Sequence, residues 1–226
     1  MTGDGHRFAA LWPLVRPHLP HPPGRVVEIG CGPAGGFVPA LLGAGHDAIG
    51  VDPEAPAGGP YRRIPFESFE PEGTFDAVVA SASLHHVDDL GRVLDRVREV
   101  TGPGAPIVVL EWAWERFDEA SARWCFDRLA PDGDEPEPTW LQAHRERWRS
   151  SGLSWDAYLA QWATGERLHT GRQMLAALDR RFTRVDLCPV PYFFHDLAGM
   201  TFDDEQAAID AGAVAGSAFR YVGVRP

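Results

Sequence analysis

Cysteine is scarce: Cys31, Cys125 and Cys188 are the only three in 226 residues. An odd number at such wide spacing builds neither a disulfide framework nor a zinc site, so a reducing compartment is expected. Long apolar runs are also missing, and none approaches the roughly 20 residues that a membrane-spanning helix needs. No secretory leader is read at the start, because Pro13, Pro17, Pro20, Pro22 and Pro23 interrupt it. The expectation is a cytoplasmic protein with no membrane partner. Positive charge is in deficit as well. The chain has 21 basic and 32 acidic residues, a formal net charge of −11, which repels phosphate backbones and argues against nucleic acid as a partner. The densest basic group, Arg145, Arg147 and Arg149, is interrupted by Glu146 and reads as a solvated helix face. Internal repeats and low-complexity tails are absent too. The prolines and glycines are scattered between apolar runs as loop punctuation.

What remains is enough to bury a core, with 44% hydrophobic and 23% charged residues. A short helix is predicted around 8–15, inside an N-terminal helical segment over 1–24. Short apolar runs at 25–29, 48–51, 75–80 and 106–110 read as strands, with helical periodicity between them at 37–42 and 89–100. Asp88 or Asp89 is a candidate N-cap for the second of these helices. Strands alternating with helices imply a doubly wound, mostly parallel α/β sheet covered on both faces. From Trp112 to about Arg181 the pattern is helical throughout, and Thr170 to Gln173 has the form of a capping box. Strand character returns at 182–190, a helix follows Asp203, and 219–224 is the last strand. The architecture expected is one domain over 1–226 with a helical cap inserted at 112–181.

The strongest motif is VVEIGCGPAGG, Val26 to Gly36. Gly30, Gly32 and Gly35 follow a strand and precede a helix, the spacing at which a turn is sharp and a ligand can approach the backbone. Asp52 ends the next strand, where a carboxylate can accept hydrogen bonds from both hydroxyls of a ribose. That layout serves nicotinamide dinucleotides and S-adenosylmethionine alike. Glu28, beside the loop, favours the second: a carboxylate repels a pyrophosphate but attracts an ammonium and a sulfonium.

On these residues the sequence resembles class I S-adenosylmethionine-dependent methyltransferases of the small-molecule type. VVEIGCGPAGG is similar to their first motif and AIGVD to their second. GTFDAVVASASLHHV is similar to their fourth-strand region, and VLDRVREVTGPGAPIVVLEW to the helix, turn and fifth strand. The resemblance implies a seven-stranded Rossmann-like methyltransferase fold, S-adenosylmethionine as cofactor and S-adenosylhomocysteine as product. It places Glu28, Gly30 and Gly32 at the methionine end, Asp52 at the ribose, Pro53, Phe66 and Glu67 around the adenine, and Ser81 at the mouth of the fourth strand, and it counts Cys31 among the cofactor-binding residues. The family often has an acidic residue just before Phe66. Here Pro65 stands there, which leaves the adenine amino contact to Glu67 or a backbone carbonyl.

On the acceptor side, His85 and His86 follow the fourth strand, and His195 follows an aromatic run. Each is a candidate base, because histidine titrates near neutrality; a buried, hydrogen-bonded structural histidine is the alternative for each. Seven of the eight tryptophans lie between 112 and 162. They suit an aromatic-walled pocket, a bulky helical core or a homodimer face. Trp112 and Trp114, leaving the fifth strand, and Tyr192 are the pocket candidates. Trp148, Trp155 and Trp162 recur at intervals of seven, but the Ser150–Ser154 stretch breaks any helix between them. No metal site is expected: Asp88, Asp89 and Glu111 are present near the fourth and fifth strand ends, but helix capping accounts for the two aspartates. The function expected is metal-independent methyl transfer to oxygen or nitrogen of a small molecule. The alternatives are a nicotinamide-dependent oxidoreductase and a non-catalytic S-adenosylmethionine-binding protein.

Overall fold

The computed structural model describes residues 3–130 and 138–226. Seven strands form one sheet: β1 (Arg25–Ile29), β2 (Asp47–Val51), β3 (Tyr61–Arg62), β4 (Ala77–Ser81), β5 (Pro106–Trp112), β6 (Thr183–Val190) and β7 (Ala218–Val224). Their order is β3-β2-β1-β4-β5-β7-β6. β1 to β5 are parallel, and β7 runs antiparallel between β5 and β6. The order reverses between β1 and β4, which pair directly, so their C-terminal ends form the crevice where open α/β sheets bind ligands.

Alternation along each strand supplies two core faces. On β4, Val78 and Ala80 join one cluster while Ala77 and Val79 join the other. The first cluster packs under α3 (Leu90–Val100), whose Leu90, Val93, Leu94, Val97 and Val100 are all buried. Asp89 caps this helix by accepting from the Arg92 amide at 2.9 Å. The second lies under α1 (Gly3–Val15) and α2 (Val38–Gly43), with Leu11, Val15, Phe37 and Leu41 buried. Each such aliphatic side chain contributes roughly 1.5–3 kcal/mol relative to exposure.

Between β5 and β6 lie α4 (Glu119–Phe126), α5 (Trp140–Ser151), α6 (Trp155–Gly165) and α7 (Gly171–Asp179); residues 131–137 of the expected cap lie outside the described residues. The segment divides in two, which the helical pattern did not foretell. α4, α5 and α6 share an aromatic cluster built on Trp112, Phe117, Trp155 and Phe193. α7 instead lays Met174, Ala177 and Leu178 on the sheet core beside α3, so it is an ordinary flanking helix and not cap. Gly152, at φ 69°, ends α5, and Ser154 caps α6, so Trp148 and Trp155 meet from different helices, with ring centroids 5.4 Å apart. The capping box at Thr170 forms as read, and α8 (Phe202–Asp210) opens on a further one at Thr201. β3 was not anticipated: two residues carry no periodicity, and its place is set by pairing with β2.

Candidate active site

β1 ends at a loop of left-handed glycines, with Gly30 at φ 75°, Gly32 at 60° and Gly35 at 85°. The requirement at Gly30 is also steric, since a Cβ there would fall 2.0 Å from Ser83 Cβ. Ser83 bridges the two strand ends by donating its hydroxyl to the Ile29 carbonyl at 3.0 Å. Asp52 ties the loop to the tip of β2. Its carboxylate accepts from the Gly32 amide at 3.0 Å and from the Glu54 amide at 2.6 Å. A carboxylate has about four acceptor sites, so lone pairs remain for further donors.

These tips border a cleft of about 650 Å³, with Gly30, Gly32 and Asp52 on one side, Phe66 and Glu67 on another, and Ser83 and His86 on a third. Pro53 and Pro65 also line it. Phe66 sits in a single 3-10 turn, Phe66–Ser68, with its ring buried. A volume in the small-ligand range, glycine backbone open to close approach and a pre-positioned carboxylate all fit an adenosine-type cofactor. The order in which β4 arrives matters too. Ala82, immediately after the strand, sits at φ 49°, unusual for a residue with a side chain, while its amide donates to the Leu110 carbonyl at 2.8 Å.

Three residues expected at the cofactor do not line this cleft. Glu28 is fully buried. One of its oxygens, Oε2, accepts from the Phe37 and Val38 amides at 2.7 and 3.1 Å, capping α2 from beneath the loop; Oε1 has no protein partner. Without a neighbouring cation, burial pushes its carboxyl up to about 8. Cys31 is 1% exposed and packs beneath Gly50. Burial first, then the nearby Glu28 and Asp52 carboxylates, push its thiol up to about 12. The Ser81 hydroxyl is enclosed and unpartnered; Ala82 and Ser83 line the mouth in its place. For Ser81 strand alternation is the reason: the residue that ends a buried strand still faces a core layer.

The histidines separate cleanly. His86 stands on the cleft rim. His85, 3% exposed, is directed inward, its ring centroid 4.1 Å from that of His86. Its Nδ1 lies 2.6 Å from Oε2 of Glu111, a wholly enclosed carboxylate on β5. Oε1 of Glu111 accepts from the Ser83 and Leu84 amides at 2.7 and 2.5 Å. Burial alone would raise the Glu111 carboxyl, but the His85 ring and those two amides outweigh it and hold it below its ordinary value. The sequence reading named Glu111 only among carboxylates weighed for a metal and missed its tie to His85, although a lone charge inside PIVVLEW was the visible signal. His195 is not brought to this cleft. It sits in a 3-10 turn packed on α1, with Nδ1 enclosed and unpartnered, and burial and then Arg7 push its pKa down to about 4.

Trp112 is 3% exposed, and Trp140, Trp162, Tyr192 and Phe193 surround it within 6.2 Å between ring centroids. Tyr192 stacks on it at 9° between planes, and Trp114 packs against the same cluster. The aromatic bias therefore builds a filled core at the end of β5, and the expected pocket wall at Trp112 is closed.

The family model described as "Methyltransferase domain" matches residues 4–181. Among curated proteins, the chain is 31% identical over 139 residues to the ubiquinone biosynthesis O-methyltransferase of Rhodopseudomonas palustris strain BisB18, covering 55% of this chain and 50% of that protein. The chain thus spans about half the length of the curated relatives it matches. Among solved structures, it is similar to an S-adenosylmethionine dependent methyltransferase from Mesorhizobium loti, with a TM-score of 0.56, 20% identity, and 96% and 98% of the two chains covered. It is also similar to N-methyltransferase NodS from Bradyrhizobium japonicum WM9 in complex with S-adenosyl-L-homocysteine, with a TM-score of 0.52, 13% identity, and 100% and 88% covered.

Proposed function

Since the chain belongs to the methyltransferase-domain family of class I S-adenosylmethionine-dependent enzymes, we propose that it methylates an oxygen or nitrogen of a small organic acceptor in the cleft at the β1 and β4 tips. The observation that carries this reading is the joining of a glycine loop and Asp52 to a histidine-bearing loop across one cleft. S-adenosylmethionine, when bound, supplies an electrophilic methyl group on a sulfonium. Gly30 and Gly32 would face its methionine part, Asp52 its ribose, and Phe66, Pro53 and Glu67 its adenine.

The chain's own contribution is position and dryness. Ser83 ties the β4 loop to the end of β1, and Asp52 ties the glycine loop to the tip of β2. His86, Val87 and Asp88 line the cleft on the side of the β4 loop, where an acceptor would meet histidine. A base is needed where the acceptor must lose a proton, and the β4 loop supplies histidine there. Net charge −11 supports a small molecule over nucleic acid, and the curated relatives' names favour oxygen as the methylated atom. Metal independence is supported by occupied carboxylates: Glu111 holds His85 and two amides, and Asp89 caps α3.

Calorimetric titration with S-adenosylmethionine and with S-adenosylhomocysteine tests the reading. Micromolar binding of either is expected, followed by acceptor screening for release of S-adenosylhomocysteine. Failure of both to bind the folded protein would overturn it.

A further inference from the structure

His85 and Glu111 form the one buried histidine–carboxylate contact among the described residues, and it is joined to the β4 loop, whose Ser83 and His86 line the cleft. A histidine that merely filled space would not need its ring bonded to a carboxylate enclosed on all sides. Burying that carboxylate is unfavourable unless its oxygens are satisfied. Here they are satisfied by three donors of one short segment: the Ser83 and Leu84 amides on Oε1 and His85 Nδ1 on Oε2. The two amides can only donate, and the ionised carboxylate can only accept, so the hydrogen between Nδ1 and Oε2 belongs to the histidine. Nε2 is then left with its lone pair. It makes no hydrogen bond with the described residues and is not among the enclosed polar atoms that lack partners. The loop itself is held from the far side, where the His169 amide donates to the His85 carbonyl at 2.9 Å and the His169 ring bonds the Val87 carbonyl at 2.8 Å.

We propose that Glu111 is a positioning residue: it locks His85 in the Nδ1–H form so that Nε2 takes the proton of an acceptor O–H or N–H. This rests on the methyltransferase reading and narrows its acceptor to a group that must be deprotonated for transfer. The proton would move from the acceptor atom to Nε2, and the electron pair it leaves would form the new bond to the methyl carbon as the methyl–sulfur bond breaks, its pair leaving with the sulfur of S-adenosylhomocysteine. The imidazolium that results is offset by the Glu111 carboxylate. The charged and titratable groups around the pair are His86 on the same loop, His169 before α7, and Arg7 of α1 and Tyr192, which line a small void together with Glu111.

Glu111→Gln is the informative variant because it is nearly isosteric and reverses one hydrogen bond. Its carbonyl oxygen can still accept from the two amides, while its NH₂ then faces Nδ1 and donates. His85 should flip to the Nε2–H form. The measurement is long-range nitrogen–proton correlation of the histidine rings at neutral pH, with His85→Gln identifying the His85 signals among nine histidines. The wild type should show Nδ1–H and the variant Nε2–H. A second readout is carbethoxylation by diethyl pyrocarbonate, followed by mass spectrometry with the exposed His86 as internal reference. Wild-type Nε2 should react, and the variant should react at least about tenfold more slowly, as expected when an orienting carboxylate becomes an amide. An Nε2–H form in the wild type, an unchanged form in the variant, or a wild-type His85 that the reagent never modifies while His86 is modified would each overturn the proposal. S-adenosylhomocysteine titration of the same two proteins separates this from the broader reading. Equal affinities leave only the His85 assignment at stake, whereas no binding to wild type defeats the cofactor assignment whatever the ring signals show.

Discussion

Replacing Asp52 with alanine tests the cofactor cleft most directly. The side chain now bridges the Gly32 and Glu54 amides at 3.0 and 2.6 Å, and its remaining lone pairs are assigned to a ribose. Hydrogen bonds to a charged group contribute about 1.5–3 kcal/mol. At about 1.4 kcal/mol per decade, losing one such net contribution weakens binding roughly 10- to 150-fold. The two backbone amides also lose their partner, but Asp52 is only half-buried and water can replace it there, so the folded state should survive. Calorimetry with S-adenosylhomocysteine at constant salt gives the change in Kd, and the melting temperature of the free protein checks the fold. Asp52→Asn should fall between the two, because its amide oxygen still accepts but carries no charge. A Kd within about twofold of wild type, in a variant that melts normally, would refute the ribose assignment.

Other expectations follow from the same geometry. Gly30→Ala should lower the melting temperature and abolish S-adenosylhomocysteine binding, since the added methyl meets Ser83 Cβ at 2.0 Å and the backbone sits at φ 75°; adding Ser83→Gly should restore part of the stability, and no restoration would count against the steric account. Glu28 has its carboxyl raised from 4.5 to about 8 by burial, so the folded form holds a proton that the unfolded form releases. Its contribution to stability is complete below 4.5 and is lost as the pH rises through about 8. Urea unfolding across that range should show the decline in wild type and a flatter profile in Glu28→Gln, and parallel profiles would contradict the assignment. Trp155 is fully buried and donates its indole N–H to the Phe117 carbonyl at 2.7 Å. Trp155→Ala should cost about 3–5 kcal/mol of unfolding free energy in the same assay; a loss below about 1 kcal/mol would mean that the aromatic cluster is loosely packed.

Elements whose signal is local were readable. β1 spans the residues read as a strand, α3 follows its periodicity with Asp89 as cap, and the break between Trp148 and Trp155 was visible in the Ser150–Ser154 stretch. What depended on partners far along the chain was not. β3 exists because β2 is there to pair with it. Glu28 looked like a cofactor ligand because its place in the motif says nothing about which way a strand-end side chain turns, and the amides of Phe37 and Val38 decided that. Glu111 was visible as an anomaly, a carboxylate in an apolar strand, but its meaning came from His85 on the neighbouring strand's loop. The tryptophans between 112 and 162 announced an aromatic cluster, yet only packing distinguishes a filled core from a pocket wall.

The place of β7 bears on how the molecule comes to be assembled. It follows β6 in the chain but lies inside it in the sheet, and among the described residues β6 has no other strand to pair with. During synthesis the parallel half, β1 to β5, can gather as it emerges, while β6 must wait unpaired until Ala218–Val224 arrives to join both neighbours. Until then β5 presents a bare seven-residue edge that another chain could pair with. The antiparallel strand thus acts as a keystone, and a ribosome that stalled before Ala218 would release a sheet with its side open.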